Sequence, residues 1–136
     1  MKIVNPWSYQ DQYGYVQGVL VDARAETLYC AGQTSVDADG APIHARDMQS
    51  QVARAFDNLE TVLAAAGGKL CDVVRLNYYV TDLDAFLAAN ATLVPRLDAA
   101  GCRATSTLLG VAKLFHPDIV FEVEATAVID RTTAPA

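Results

Sequence analysis

The segment VFEVEATAVI, residues 120–129, constrains the fold more than any other. Strand side chains alternate between faces with a period of two. Phe121, Val123, Ala125, Ala127 and Ile129 therefore form one wholly apolar row. Val120, Glu122, Glu124, Thr126 and Val128 form the opposite row, with both carboxylates on the same side. Their Cα atoms are about 7 Å apart at roughly 3.3 Å per residue. Such a strand belongs to a sheet with one face in the core and a different surface on the other.

Two amphipathic segments can cover the apolar face. Over residues 47–66, Met48, Val52, Phe56, Leu59, Leu63 and Ala66 recur at helical spacing, with Asp47 as the N-cap and Gly67-Gly68 as the stop. A second helix begins in TDLD, where Thr81 and Asp84 match a capping box with Asp in place of Glu. Its expected buried stripe is Leu83, Phe86, Leu87, Asn90, Val94 and Leu97. Pro95, which has no N–H, is expected to bend or interrupt it.

Strands fill the rest. GYVQGVLV and LYCAGQT read as two strands joined across DARAET as a hairpin, and Asp39-Gly40 marks a turn. DVVRLNYYV places Val74, Leu76, Tyr78 and Val80 on one face and Val73, Arg75, Asn77 and Tyr79 on the other. Two further strands fall near 105–114 and 119–129. The order ββαβαββ predicts a single α+β domain over residues 1–136, with two helices packed on one face of one mixed sheet. The uncovered face mixes Arg75, Asn77, Glu122 and Glu124 with Tyr79, Val120 and Val128. It is too apolar for water and is expected to pack against other subunits.

Composition narrows the function classes. Hydrophobic residues make up 52% of the 136, which excludes a disordered chain. The net charge of −6 repels phosphate backbones and argues against nucleic acid. No apolar run approaches the roughly 20 residues of a membrane span, and MKIVNPWSYQ lacks a signal-peptide core. The expectation is a soluble, cytoplasmic protein. Cys30, Cys71 and Cys102 have no metal spacing and fit free thiols. His44 and His116 sit in no ligand motif, so no metal site is expected.

Several residues could carry chemistry. Asn90 occupies a core position, where its amide either bonds nearby backbone or lines a pocket. Glu122 and Glu124 are either an acid pair neutralised by Arg75 or one paired and one free carboxylate, the free one able to position water or accept a proton. Cys102 stands beside Arg103, which can activate a thiol. His116 in FHPD reads as a loop residue, and Tyr15 and Gln33 as polar groups that could line a cleft.

YVQGV, LYCAGQTSVDADG, DNLETVLAAAGGKLCDVVRLNYYVTDLDAF, NAT and LLGVAKLFHPDIVFEVEATAV together resemble the RidA/YjgF family of reactive-intermediate (imine/enamine) deaminases, from about residue 12 to residue 129. The resemblance implies a chorismate-mutase-like fold, a homotrimer and small-molecule clefts between adjacent subunits. It implies hydrolysis of amino-acid-derived imines to ammonia and a keto acid with no cofactor. It assigns Glu124 to the cleft glutamate that positions water, Tyr15 to the cleft mouth, Gly32 to the backbone beside the ligand, and Asn90 to the asparagine of NAT. Glu122 inherits no role and stays with Arg75.

One position departs from the pattern. The deaminating branches carry an arginine four residues before the Gly or Glu of this strand motif, where it holds the substrate carboxylate. Counting back from Gly110, that position is Ser106. Arg103 lies three residues earlier, roughly 10 Å along a strand and on the other face. Losing the charged fork weakens carboxylate binding by about 1.5–3 kcal/mol. The reading is a cofactor-independent imine or enamine hydrolase of altered specificity, with Glu124 orienting water and Ser106 and Tyr15 binding polar substrate atoms. The alternative is a non-catalytic ligand-binding or regulatory trimer using the same cleft. A nuclease, as some relatives have been described, is disfavoured by the acidic balance and the lack of a catalytic histidine pair.

Overall fold

The computed structural model describes residues 1–130. Its centre is a four-stranded sheet of β3 (Glu26–Gln33), β4 (Val73–Val80), β5 (Thr105–Gly110) and β6 (Phe121–Ile129), in the order β3-β6-β4-β5. β6 is antiparallel to both neighbours, and β4 and β5 are parallel. Parallel neighbours need a crossover, supplied here by α2 (Leu83–Ala99). The other helix, α1 (Met48–Ala65), connects β3 to β4. The sheet is thus mixed, with both helices on one face, as the sequence implies.

β6 keeps its alternation. Phe121, Val123, Ala125 and Ala127 are at most 3% exposed, while Glu122 and Glu124 are only half-buried on the opposite face. Over the apolar row lie Phe56, Leu59 and Leu63 of α1, fully buried. Phe56, Tyr78, Phe86 and Phe121 form an aromatic cluster, with Tyr78 centroids 5.5 Å from Phe86 and 6.0 Å from Phe121. The N-cap of α1 is Asp47, whose carboxylate accepts from the Ser50 N–H and hydroxyl. Those two bonds hold its carboxyl below the ordinary range. The helix stops where Gly67 adopts a left-handed φ of 76°, letting the Gly68 N–H reach the Leu63 carbonyl at 2.8 Å.

Six local expectations are corrected. GYVQGVLV and LYCAGQT do not form a hairpin. β2 (Gly18–Leu20) pairs with β1 (Lys2–Val4) in a separate two-stranded ribbon, closed by the Gln17 N–H donating to Asn5 Oδ1 at 2.8 Å. The N-cap of α2 is Asp82, which accepts from the Ala85 N–H, and not Thr81. Phe86 and Leu97 of the expected stripe are buried, but Ala89 and Leu93 face the core in place of Asn90 and Val94. Leu83 and Leu87 are 45% and 57% exposed, and the helix runs through Pro95 without a break. On β4, a bulge opposite β6 between Val73 and Arg75 turns Val73 into the core; on β6, Val128 is buried.

Gln51 was not anticipated. It is fully buried, and its amide donates to the carbonyls of His44 at 2.9 Å and Asp118 at 2.6 Å, while its Oε1 accepts from the Val120 N–H at 2.8 Å. One side chain thus joins the loop before α1, where His44 and Arg46 adopt positive φ, to the loop before β6. Gln51→Leu keeps the volume but removes three hydrogen bonds and leaves the Val120 N–H without its acceptor, while the His44 and Asp118 carbonyls keep the Asp47 and Arg46 N–H groups. We expect a loss of about 3 kcal/mol and a Tm lower by about 10 °C. Thermal unfolding by circular dichroism measures it, and a shift within about 2 °C would mean the clamp is dispensable.

Candidate functional site

Two groups of polar residues stand on opposite sides of the sheet. The first surrounds a cavity of about 320 Å³ between α2, the β4–β5 edge and the segment around Tyr13–Tyr15. β4 and β5 pair in parallel with Leu76 opposite Ser106 and Tyr78 opposite Leu108. This register puts Ser106 on the helix-covered side with Tyr78. Asn90 enters from α2, on the side of the helix next to its core stripe. Tyr15 is brought in by the following residue, whose N–H donates to the Ala104 carbonyl at 2.8 Å. Gly14, at φ 72°, packs against Val94 of α2 in the same turn.

Three of the five predicted site residues, Tyr15, Asn90 and Ser106, therefore line one cavity. The amide of Asn90 hydrogen-bonds to no described residue. Arg103 forms a 3.0 Å ion pair with Asp11 and lies outside the cavity.

The second group occupies the face away from the helices. Asn77 is opposite Glu124 in the β4–β6 register and donates to its Oε1 at 3.0 Å; the Tyr79 hydroxyl donates to the same oxygen. That bond, followed by burial, raises the pKa of Tyr79. Glu122 accepts no hydrogen bond from the described residues. The expected Arg75–Glu122 pair is absent: the Arg75 guanidinium donates to Thr107 Oγ1 at 2.6 Å, because the β4–β5 pairing brings that hydroxyl within its reach.

Glu122 lies instead over Gly32. The β3–β6 register slips between Cys30 and Gln33, so β3 carries an extra residue there. A Cβ on Gly32 would sit 2.0 Å from Glu122 Oε1, so any side chain there would displace the end of the glutamate. The glycine leaves room for the carboxylate where it now lies. Burial, and then the charge of Glu124, raise the Glu122 pKa above that of an ordinary glutamate. A half-buried carboxylate with unused lone pairs and raised proton affinity can exchange protons with water or substrate.

The remaining candidates have structural roles. Cys102 is fully buried, and burial pushes its thiol up to about 12, which makes it inert near neutral pH. His116 Nδ1 accepts from the Asp118 N–H at 3.1 Å within its loop. Gln33 donates to the Ala31 carbonyl. Among the described residues no cluster of His, Cys, Asp or Glu could hold a metal ion, and no helix is long and apolar enough to cross a membrane. Sequence reasoning missed the Gly32–Glu122 contact and the cavity-facing Tyr78. A glycine within an otherwise β-rich run was the available signal for the first.

Comparison with known proteins agrees with this architecture. The family described as Endoribonuclease L-PSP matches residues 9–129. The 2-iminobutanoate/2-iminopropanoate deaminase of Salmonella typhimurium is 31% identical over 115 residues, covering 84% of this chain and 86% of that protein. The Rid-family protein YyfB of Yersinia pestis superposes with a TM-score of 0.84 at 30% identity, over 94% of this chain and 98% of that one. The structure of TdcF from E. coli with bound serine gives a TM-score of 0.69 at 30% identity, over 84% and 87%. With the sheet, both helices and both polar groups inside the matched span, the chain belongs to the RidA/YjgF family.

Proposed function

We propose that this protein is a cofactor-independent hydrolase of imine- or enamine-like metabolites, working at a site built from two copies of the chain in a homotrimer. The observation that carries the reading is the free Glu122 carboxylate held over Gly32. The names of the deaminase relatives support the reaction class. Tyr15, Asn90 and Ser106 lie on one side of the sheet and Glu122 on the other, so one chain cannot direct them at one reacting carbon. A neighbouring copy that seats its open face against the cavity mouth can. That face also carries Tyr29, 80% exposed, and Leu109, 49% exposed, which favour coverage over water.

The two carboxylates divide the work in the opposite sense to the family match made on sequence. Glu124 is occupied by Asn77 and Tyr79 and serves as a fixed negative charge. Glu122 has its lone pairs open and takes a proton from water. The water oxygen then attacks the imine carbon, and the C=N electron pair moves to nitrogen, which takes up a proton. The resulting carbinolamine collapses as Glu122 returns its proton to nitrogen. The C–N bond breaks, ammonia leaves, and loss of the hydroxyl proton gives the carbonyl product. Water is the only co-reactant. Ser106 supplies no positive charge, so specificity differs from that of arginine-bearing relatives. The same lack of a cation favours a second reading, a trimer that binds a small molecule without turning it over. Tight binding with no ammonia released would establish that second reading.

Static light scattering should give three times the 14.6 kDa chain mass. A monomer at micromolar concentration would leave the half-sites apart and end the composite-site reading.

In a coupled ammonia-release assay on freshly generated imines, Glu122→Gln should lower kcat by about 100-fold or more with the trimer intact. Glu124→Gln should cost about tenfold or less. The reverse ranking would restore Glu124 as the proton-transfer group.

The rate should rise with pH through the ionisation of Glu122, because only its anion accepts a proton from water. Since burial and Glu124 hold that pKa up, the acidic limb should lie above the ordinary glutamate range. Glu124→Gln removes the repulsion and should move the limb to lower pH. A pH–rate profile of both proteins checks the sign, and a limb that stays in place would detach it from this pair.

A further inference from the structure

The cavity beside α2 contains hydrogen-bonding groups that the protein itself does not use. Tyr78 is 7% exposed and lines the cavity. Its hydroxyl hydrogen-bonds to no described residue, and neither do the half-buried Asn90 amide and Ser106 hydroxyl on the same cavity wall. Polar groups withdrawn from water without protein partners are costly, and three around one space call for a ligand or water to complete them. The rest of the wall is apolar or aromatic, including Leu76, Phe86 and Leu108. Among the described residues no Lys, Arg, His, Asp or Glu contributes to it.

These features select by charge. A carboxylate entering the cavity would shed its water with no cation to replace it, whereas a neutral amide, carbonyl or imine head would meet two hydroxyls and an amide. At about 320 Å³ the space fits a small aromatic molecule. Tyr78 is also fixed in place, with Phe86, Phe121 and Phe56 at centroid distances of 5.5, 6.0 and 6.3 Å. Burial raises its pKa further, so the hydroxyl remains a donor at physiological pH.

We infer that this cavity takes an uncharged molecule with an aromatic-sized apolar body and one hydrogen-bonding head, and that Tyr78 is the specificity-determining residue that holds the head. The substrate class this adds to the hydrolase reading, on which it rests for the reaction, is a neutral imine of an aryl-substituted aldehyde or ketone, not the imine of an amino acid.

Phenylacetamide and phenylacetate, alike in size and different in charge, test the pocket apart from the chemistry. In calorimetric titrations at neutral pH the wild type should bind the amide at least about tenfold more tightly than the acid. Tyr78→Phe, which keeps the ring, should weaken amide binding by about threefold to tenfold with an unchanged Tm. Ser106→Ala, outside the core, gives a second reading should Tyr78→Phe unfold, and should weaken amide binding in the same direction. Equal or tighter binding of phenylacetate, binding of neither, or an amide affinity untouched by both substitutions overturns the inference. Ammonia release from the imines of phenylacetaldehyde and phenylpyruvate separates the two claims. Selective amide binding without release from either imine refutes hydrolysis and leaves the pocket standing. Faster release from the phenylpyruvate imine refutes the pocket and sustains hydrolysis.

Discussion

Burial of the β6 row Phe121, Val123, Ala125 and Ala127 under α1 is the contact from which the rest of the molecule follows. Each of these side chains fixes its neighbour by parity, so the same burial that builds the core drives Glu122 and Glu124 to the opposite face. No separate interaction is needed to aim the carboxylates. β6 is also interior to the sheet, flanked by β3 and β4. Its two acids are thereby framed by Gly32 on one side and by Asn77 and Tyr79 on the other.

That frame makes two chemically identical side chains different. Glu124 has donors on its Oε1 and becomes a fixed charge. Glu122, two residues away, has none among the described residues, and burial with the charge of Glu124 raises its pKa. Environment, not residue type, separates their properties. Ser106 and Tyr78 act by the same principle in the cavity, where hydroxyls without a cation make polarity available but not charge.

Local, periodic features were legible in the sequence. Residue spacing gave α1 with its Asp47 cap and Gly67 stop, the two faces of β6, and two helices over one mixed sheet, because each rests on contacts within a few residues. The failures involve choices between competing partners far apart in the chain. β2 could not be assigned to β1, because an exposed three-residue strand has too few side chains to advertise its pairing. The α2 stripe was misread by one residue because Leu83, Leu87 and Val94 are as apolar as the residues that face the core. Shared face and opposite charge point Arg75 to Glu122, whereas the neighbouring β5 strand offers it a threonine hydroxyl. The slip in β3 that brings Gly32 to Glu122 has no periodic signature, since a bulge interrupts periodicity. Tyr15 and Asn90 stand out as polar residues in apolar elements, Ser106 only through family resemblance, and their common cavity only through the fold.

The contact between Gly32 and Glu122 also couples two positions ninety residues apart. Any side chain on residue 32 would meet the end of the glutamate and push it from the place it holds over β3. Residue 32 is thus a handle on the position of the acid: a substitution there moves the carboxylate while leaving its chemical identity untouched.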